Sequence, residues 1–273
     1  MALVRLNSAQ EWTARYGASG ERSVVAIGNF DGVHLGHQKI LRGVLERARD
    51  QRALATVLTF YPHPARVLRP AAAPVLLATL DQRLAAFDVL GIDAALVLQF
   101  DAELSKVSAE EFARRFLVET LRAKAVLVGG NFRFGHKQVG DVKLLSAIGG
   151  ECDFEVIVIE PVTVDGVVVS SSAIRQAVSD GRMENAAKFL GRPFSLEGEI
   201  RPGTGTGRKL VVPTLNLTTE QELLPKNGVY ATEVFLGGRR LPAATNIGVR
   251  PTFDGTRLAI ESHLFDFSEQ LTS

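Results

Sequence analysis

A chain of 273 residues, 46% of them hydrophobic, has material for one large domain or two ordinary ones, each with a real core. Its 31 Lys and Arg stand against 30 Asp and Glu, and the resulting net charge of +1 gives no overall basic field that would point to nucleic acid. A single cysteine, Cys152, excludes a disulfide framework and a cysteine-built zinc site; the opening MALVRLNSAQEW has no apolar signal core, so the expectation is a soluble cytoplasmic protein without a membrane partner.

Up to about residue 190, apolar runs alternate with helical patterns. SVVAIGNF reads as a buried strand, and LGHQKILRGVLERARD follows with Leu35, Ile40, Leu41, Val44, Leu45 and Ala48 close to helical spacing. ALATVLTF is a second strand. TLDQRLAAFDVLG is a helix with Thr79 as its N-cap and Gly91 as its stop. DAALVLQF is a strand, and SAEEFARRFLVETLRA opens on a capping box of Ser108 and Glu111. KAVLVGG and FEVIVIE complete the set. This alternation predicts an α/β domain, a parallel sheet with helices on both faces. Ligands of such sheets bind beyond the carboxyl ends of the strands, where GNFDGVHLGH and GGNFRFGH both fall. After MENAAKFLGRPF the helical period stops. FSLEGEIR, GVYATEVFL, LPAATNIGV and RLAIESHLF are short strand-like runs between turn residues, which predicts a small antiparallel sheet or barrel. The change of texture lies near Gly191 and divides the chain into domains of residues 1–186 and 187–273.

The first chemical signal is GNFDGVHLGHQ, residues 28–38. A strand ending in Gly28 and Asn29 turns through Asp31 and Gly32 into a helix whose first turn carries His34 and His37. Gly32 and Gly36 let a ligand approach the backbone. The helix start offers amide donors and the positive end of a dipole, which together make an anion site. Residues three apart share a helix face, so both imidazoles can address one phosphate, and histidine can be cationic near neutral pH. A metal would need a third ligand, and His63, His136 and His263 form no motif with these two. SSSAIR adds the hydroxyls of Ser170, Ser171 and Ser172, and Arg175 for departing phosphates; a serine-rich N-cap with a solvated arginine is the structural alternative. RPGTGTGRKLVVPTLNL places Gly203, Gly205 and Gly207 where backbone amides can wrap a triphosphate. Thr214 and Asn216 alternate on the extended stretch beyond, hard oxygen donors suited to Mg²⁺ on ATP phosphates.

GNFDGVHLGHQ resembles the His-x-Gly-His signature of the nucleotidylyltransferase superfamily. With TFYPHP, VLVGGNFRFGHKQVGD, VSSSAIRQAVSDG, GRKLVVPTLNL, NGVYATEV, NIGVRPTF and IESHLFDF following in order, nearly the whole chain resembles the bacterial bifunctional riboflavin kinase/FAD synthetases. The resemblance implies a Rossmann-like nucleotidylyltransferase domain, which joins FMN to the AMP moiety of ATP to give FAD and pyrophosphate. It also implies a riboflavin kinase domain, so that riboflavin, FMN, FAD and ATP are the partners and Mg²⁺ the cofactor. It places Gly28, Asn29, Phe30, Asp31, Gly36 and Asn131 at the nucleotide, Lys209 with the second glycine-rich loop, and Glu261 as the base for the riboflavin 5′-hydroxyl. Many members carry Asp where this chain has Asn131, a lost charge that bears on metal or flavin contacts. The YPHP loop around His63 reads as rigid from its prolines and as flavin-contacting from the resemblance. Relatives continue past HLFDF with further strands and a helix, so the resemblance implies a C-terminally incomplete kinase domain that phosphorylates riboflavin poorly or not at all. Alternatives are a related nucleotidylyltransferase with another phosphorylated acceptor and a flavin-binding regulatory remnant.

Overall fold

The computed structural model describes residues 2–201, 214–252 and 255–267. The chain divides into two compact units, Met1–Ser171 with Phe189–Gly191, and Ser172–Lys188 with Arg192–Ser273.

The first unit begins with β1 (Val4–Leu6), α1 (Ala9–Tyr16), β2 (Ser23–Ile27), α2 (Leu35–Gln51) and β3 (Leu54–Tyr61). A short α3 (Pro64–Leu68) leads to α4 (Leu80–Leu90) and β4 (Ala94–Gln99). Then come α5 (Ala109–Phe112), β5 (Ala123–Gly129), α6 (Val142–Cys152), β6 (Glu155–Ile159) and a hairpin of β7 (Thr163–Val164) and β8 (Val167–Val168). Two further helices, α7 (Ser171–Ser179) and α8 (Met183–Leu190), precede the strands of the second unit. Helix boundaries follow the expected chemistry. Thr79 and Gln82 form a full capping box on α4, and Gly91 ends it at φ 92°.

The sheet is parallel throughout, in the order β1-β4-β3-β2-β5-β6. From β2 onward this is the doubly wound order, which reverses at β2 between β3 and β5. Side chains alternate between faces with period two. Val25, Ile27, Leu58, Leu96, Val126 and Val128 pack with Phe112, Phe116 and Leu145. Val24, Ala26, Val57, Val97 and Leu127 pack on the other face with Leu41, Val44 and Phe87. Each large apolar side chain buried in this way contributes about 1.5–3 kcal/mol. Strands read as unbroken apolar runs because both of their faces are covered.

Three local features differ from expectation. The helix opened by Ser108 is α-helical only over Ala109–Phe112 and continues as a π-helix over Ala113–Thr120. The bonds from Leu121 N–H to the Phe116 carbonyl and from the Thr120 hydroxyl to the Arg115 carbonyl span five residues, and the wider turn keeps Phe112, Phe116, Leu117 and Leu121 buried together. β1 adds a parallel edge beyond β4, and the β7–β8 hairpin turns through Asp165 and Gly166, both at positive φ.

The second unit holds α7 from Ser172 on, most of α8, and β9 (Glu199–Arg201), β10 (Thr214–Thr218), β11 (Gly228–Leu236), β12 (Arg239–Thr252) and β13 (Gly255–Leu264). Its sheet is antiparallel in the order β11-β12-β13-β10-β9. β11 and β12 meet at a two-residue turn, Gly237 and Gly238, both left-handed, as a tight hairpin demands. Leu215, Ala243, Leu264 and Phe267 form its core, with Val234, Leu236 and Leu241 against them.

Candidate active sites

β2 ends at Ile27, short of the Gly28 and Asn29 expected from the sequence, and the chain then turns at the point where the sheet order reverses. This turn is backbone-strained. Phe30 has φ 50°, Gly32 φ 81° and Val33 φ 41°, and only the glycine adopts such values freely. Surrounding groups pin it. The Asn29 carbonyl accepts from Arg83 Nη1 at 2.7 Å, the Phe30 carbonyl from the Val33 amide at 3.1 Å, and the Asp31 carbonyl from the Ser171 hydroxyl at 2.9 Å. Gln38 Nε2 reaches the Val33 carbonyl at 3.0 Å and the Leu190 carbonyl at 2.8 Å. The Asp31 carboxylate is 4% exposed and accepts from the Leu77 and Ala78 amides at 2.9 and 3.3 Å. Its Oδ1 is thus turned into the loop before α4, where it anchors the turn. A Cβ on Gly32 would meet Leu77 Cδ1 at 2.8 Å, so this glycine serves the packing of turn on loop as well as the left-handed backbone.

The two histidines occupy different helical positions. His34 is the N-cap of α2: its Nδ1 accepts from the His37 amide at 3.3 Å, so that nitrogen bears no proton and Nε2 does. His37 lies in the first turn, and the two rings stack at 3.6 Å with 18° between their planes. Gly36 makes room for this, because a Cβ there would press on the His34 ring at 3.1 and 3.2 Å. The Phe30 ring meets His37 edge-on at 5.1 Å. His37 Nδ1 is buried without a partner, and burial first, then the neighbouring His34, hold its pKa well below the ordinary 6.5. His37 is therefore neutral in the free protein at neutral pH, in contrast to the cationic histidine the sequence allowed for; it offers a hydrogen-bond donor without a full charge. An NMR titration of the ligand-free protein is expected to place its midpoint below 6.5, and bound triphosphate should move it upward. Below 6.5 the unfolded chain takes up this proton more readily than the folded one, so stability falls as pH drops through that range. A midpoint at or above 6.5 contradicts the geometry.

Asn131 follows β5, the strand on the other side of the sheet reversal, and is exposed; its Oδ1 lies where a Cβ on Gly129 would be 3.3 Å away. Phe132 and Phe134 stack at 5.4 Å on either side of Arg133, which pairs with Asp141 at 3.5 Å. His63 caps α3, accepting from the Ala65 amide at 3.2 Å. Ser170 and Ser171 end the first unit, and Ser171 joins the pinned turn. Ser172 and Arg175 belong to the second unit, where Arg175 Nη1 donates to the Ser172 hydroxyl at 3.3 Å on the first turns of α7.

Gly203, Gly205, Gly207 and Lys209 lie outside the described residues. In the second sheet, register brings the other expected residues together. Asn216 on β10 pairs with Glu261 on β13, and Glu261 pairs on its other side with Asn246 on β12. Thr214 pairs with His263 two residues along, hence on the same face. On the opposite face Ile260 and Leu264 are buried, and the hydroxyls of Thr232, Thr245 and Ser262 form a row at 2.7 and 2.8 Å that ties β11, β12 and β13. Glu261 thus stands on a braced strand between two amide side chains. Sequence reasoning missed Asn246 and Arg83. NIGV gave Asn246 no partner, because only register does so. Arg83 had a signal: it falls on the same helix face as Leu84 and Phe87, where a solvated charge does not belong. Among the described residues no group of three or more His, Cys, Asp or Glu could hold a metal.

A family model described as FAD synthetase matches residues 17–173, and one described as riboflavin kinase matches residues 190–273. The bifunctional riboflavin kinase/FMN adenylyltransferase of Escherichia coli (strain K12) is 38% identical over 255 residues, covering 93% of this chain and 82% of that protein. The chain belongs to the bifunctional riboflavin kinase/FMN adenylyltransferase family. The Pseudomonas fluorescens member is 39% identical over 249 residues, 91% of this chain and 80% of that protein. Family membership accounts for the two-part architecture, a doubly wound parallel sheet followed by an antiparallel one. A crystal structure of a protein from Streptococcus pneumoniae called a macrolide-efflux protein matches with a TM-score of 0.85 and 27% identity, over 99% of this chain and 86% of that one. Among the described residues of this chain, no helix is long and apolar enough to cross a membrane.

Proposed function

We propose that this chain makes FAD in two ATP-dependent steps in the cytoplasm: riboflavin is phosphorylated to FMN, and FMN receives an adenylyl group. The functional division follows the expected one, residues 1–186 for adenylyl transfer and 187–273 for the kinase, and the family matches on either side of residues 173–190 support it. The observation that carries the first activity is the stacked His34–His37 pair at the start of α2, at the reversal of the sheet. In adenylyl transfer an FMN phosphate oxygen attacks the α-phosphorus of ATP, and the bond to the bridging oxygen of pyrophosphate breaks. The nucleophile is already an anion, so no strong base is required; the need is for donors aimed at charge on the α-phosphate. His34 Nε2–H, the neutral His37 and the first-turn amides of α2, Leu35 and Gly36, are such donors. Gly28, Asn29 and Phe30 line the approach of the nucleotide, with Asn131 across the sheet reversal, and Ser170 and Ser171 take the departing phosphates, a role the resemblance also gives to Ser172 and Arg175.

In the kinase step Glu261 accepts the proton of the riboflavin 5′-hydroxyl as its oxygen attacks the γ-phosphorus of ATP and ADP leaves. Thr214 and Asn216 offer two hard oxygens on one face of β10, a donor set that fits Mg²⁺ completed by substrate phosphates and water. Bound there, the ion would offset phosphate charge. Gly203, Gly205, Gly207 and Lys209 supply the amides and cation for the triphosphate in this reading.

The test is incubation with ATP, Mg²⁺ and FMN, with nucleotides separated by chromatography. FAD and pyrophosphate in equal amounts are expected. A folded, ATP-binding preparation that forms no FAD defeats the adenylyltransferase assignment. The match of residues 190–273 to a riboflavin kinase favours FMN over any other phosphorylated acceptor.

A further inference from the structure

Arg83 is buried on α4 beside Leu84 and Phe87, with 4% of its surface exposed. A buried guanidinium is costly unless its donors are matched. Here they are matched unevenly. Nη1 donates to the Asn29 carbonyl at 2.7 Å and to the Thr59 hydroxyl at 3.4 Å, while Nε is buried with no partner. Burial lowers its pKa, and the charges of Asp31 and Tyr61 act in the opposite direction. Packing alone would be better served by a leucine or methionine of similar reach, so the charge must have a use.

That use lies in the peptide it holds. The Asn29 carbonyl and the Phe30 N–H belong to one planar trans unit, so fixing the oxygen fixes the N–H in the opposite direction. Phe30 follows at φ 50°, a value a bulky residue keeps only when its surroundings enforce it. Rotating that peptide plane would relieve the strain and reverse the N–H. The Arg83 bond opposes this rotation at the carbonyl itself, while Asp31 and Ser171 pin the turn one residue further on. We propose that Arg83 is a positioning residue for adenylyl transfer, holding the Asn29–Phe30 peptide in the strained orientation that receives the nucleotide and sets up the start of α2 with His34 and His37. This rests on the FMN adenylyltransferase assignment.

The experiment compares the full chain with Arg83→Met and Arg83→Lys in steady-state FAD formation, varying ATP and FMN separately, with thermal melts for each. Arg83→Met is expected to raise KM for ATP about tenfold, and to leave KM for FMN within about twofold. Arg83→Lys keeps a cation and one donor, and should hold KM for ATP to a rise of about two- to threefold. A parent chain that forms no FAD defeats the assignment of activity, and the role of Arg83 falls with it. A folded Arg83→Met with parental KM for ATP overturns the role of Arg83, as does an equal rise in both KM values or a lysine variant no better than the methionine one. If Arg83→Met does not fold, the lysine variant decides: a modest rise confined to ATP supports the role, and parental behaviour or an equal rise for both substrates overturns it.

Discussion

His37→Ala is expected to slow FAD formation from FMN by about 10²–10³-fold, the effect of removing one preorganised donor at a centre of developing charge. The loss should fall on kcat, because the donor acts on the reacting phosphate more than on either substrate at rest. Folding should survive for a specific reason. The cap of α2 runs from the backbone amide of residue 37 to His34 Nδ1, and alanine keeps that amide. The ring's contacts with His34 and Phe30 are offset in part by its Nδ1, which is buried without a partner. Chromatographic assay of FAD with a thermal melt on the same sample separates the two effects. Turnover near the parental rate in a folded variant would show that the stacked pair has no part in the chemistry.

Glu261→Gln should reduce the formation of FMN from riboflavin by about 10²–10⁴-fold relative to the parent chain, the range for removing a general base. Glutamine matches the size and can still accept a hydrogen bond, so the row of Asn216, residue 261 and Asn246 can persist. The brace beneath, Thr232–Thr245–Ser262, is untouched. FAD formation from added FMN is expected to stay at the parental rate, so one preparation provides both the test and its control. Parental production of FMN by this variant would remove Glu261 from the reaction.

The parts of the fold legible in the sequence are those set by local chemistry. Buried parallel strands announce themselves as apolar runs such as SVVAI and ALVLQ, and helix ends as Thr79 and Gly91. The edge strand Val4–Leu6 has only three residues and owes its existence to pairing with β4, which no local pattern encodes. The hairpin at Asp165-Gly166 had a turn signal, but its two-residue strands are too short to show a period. The π-helical stretch arises from packing of Phe112, Phe116 and Leu121, and its composition is that of any amphipathic helix. At the first site the spacing of the histidines was legible, while their division of labour was not: that His34 caps and His37 stays neutral depends on rotamers and burial. Asp31, which the resemblance sets beside the nucleotide, also turns Oδ1 to the amides of Leu77 and Ala78, a contact with a loop 46 residues away that no local pattern encodes.

The left-handed Phe30 and Val33 bear on any effort to thermostabilise this enzyme. A design protocol that scores residues against backbone preference would choose these two first, and would offer glycine or asparagine. Both side chains are almost wholly buried, so glycine would also give up core contacts, but the larger cost is of another kind. A residue at ease in many conformations no longer resists the alternatives, and the turn beside His34 would sample states that bind nothing. Heat resistance gained at these positions would be exchanged for turnover, a familiar antagonism where strain serves function. Library positions are better drawn from the exposed faces of α2 and α6, where improved helix propensity leaves the strained turn as it is.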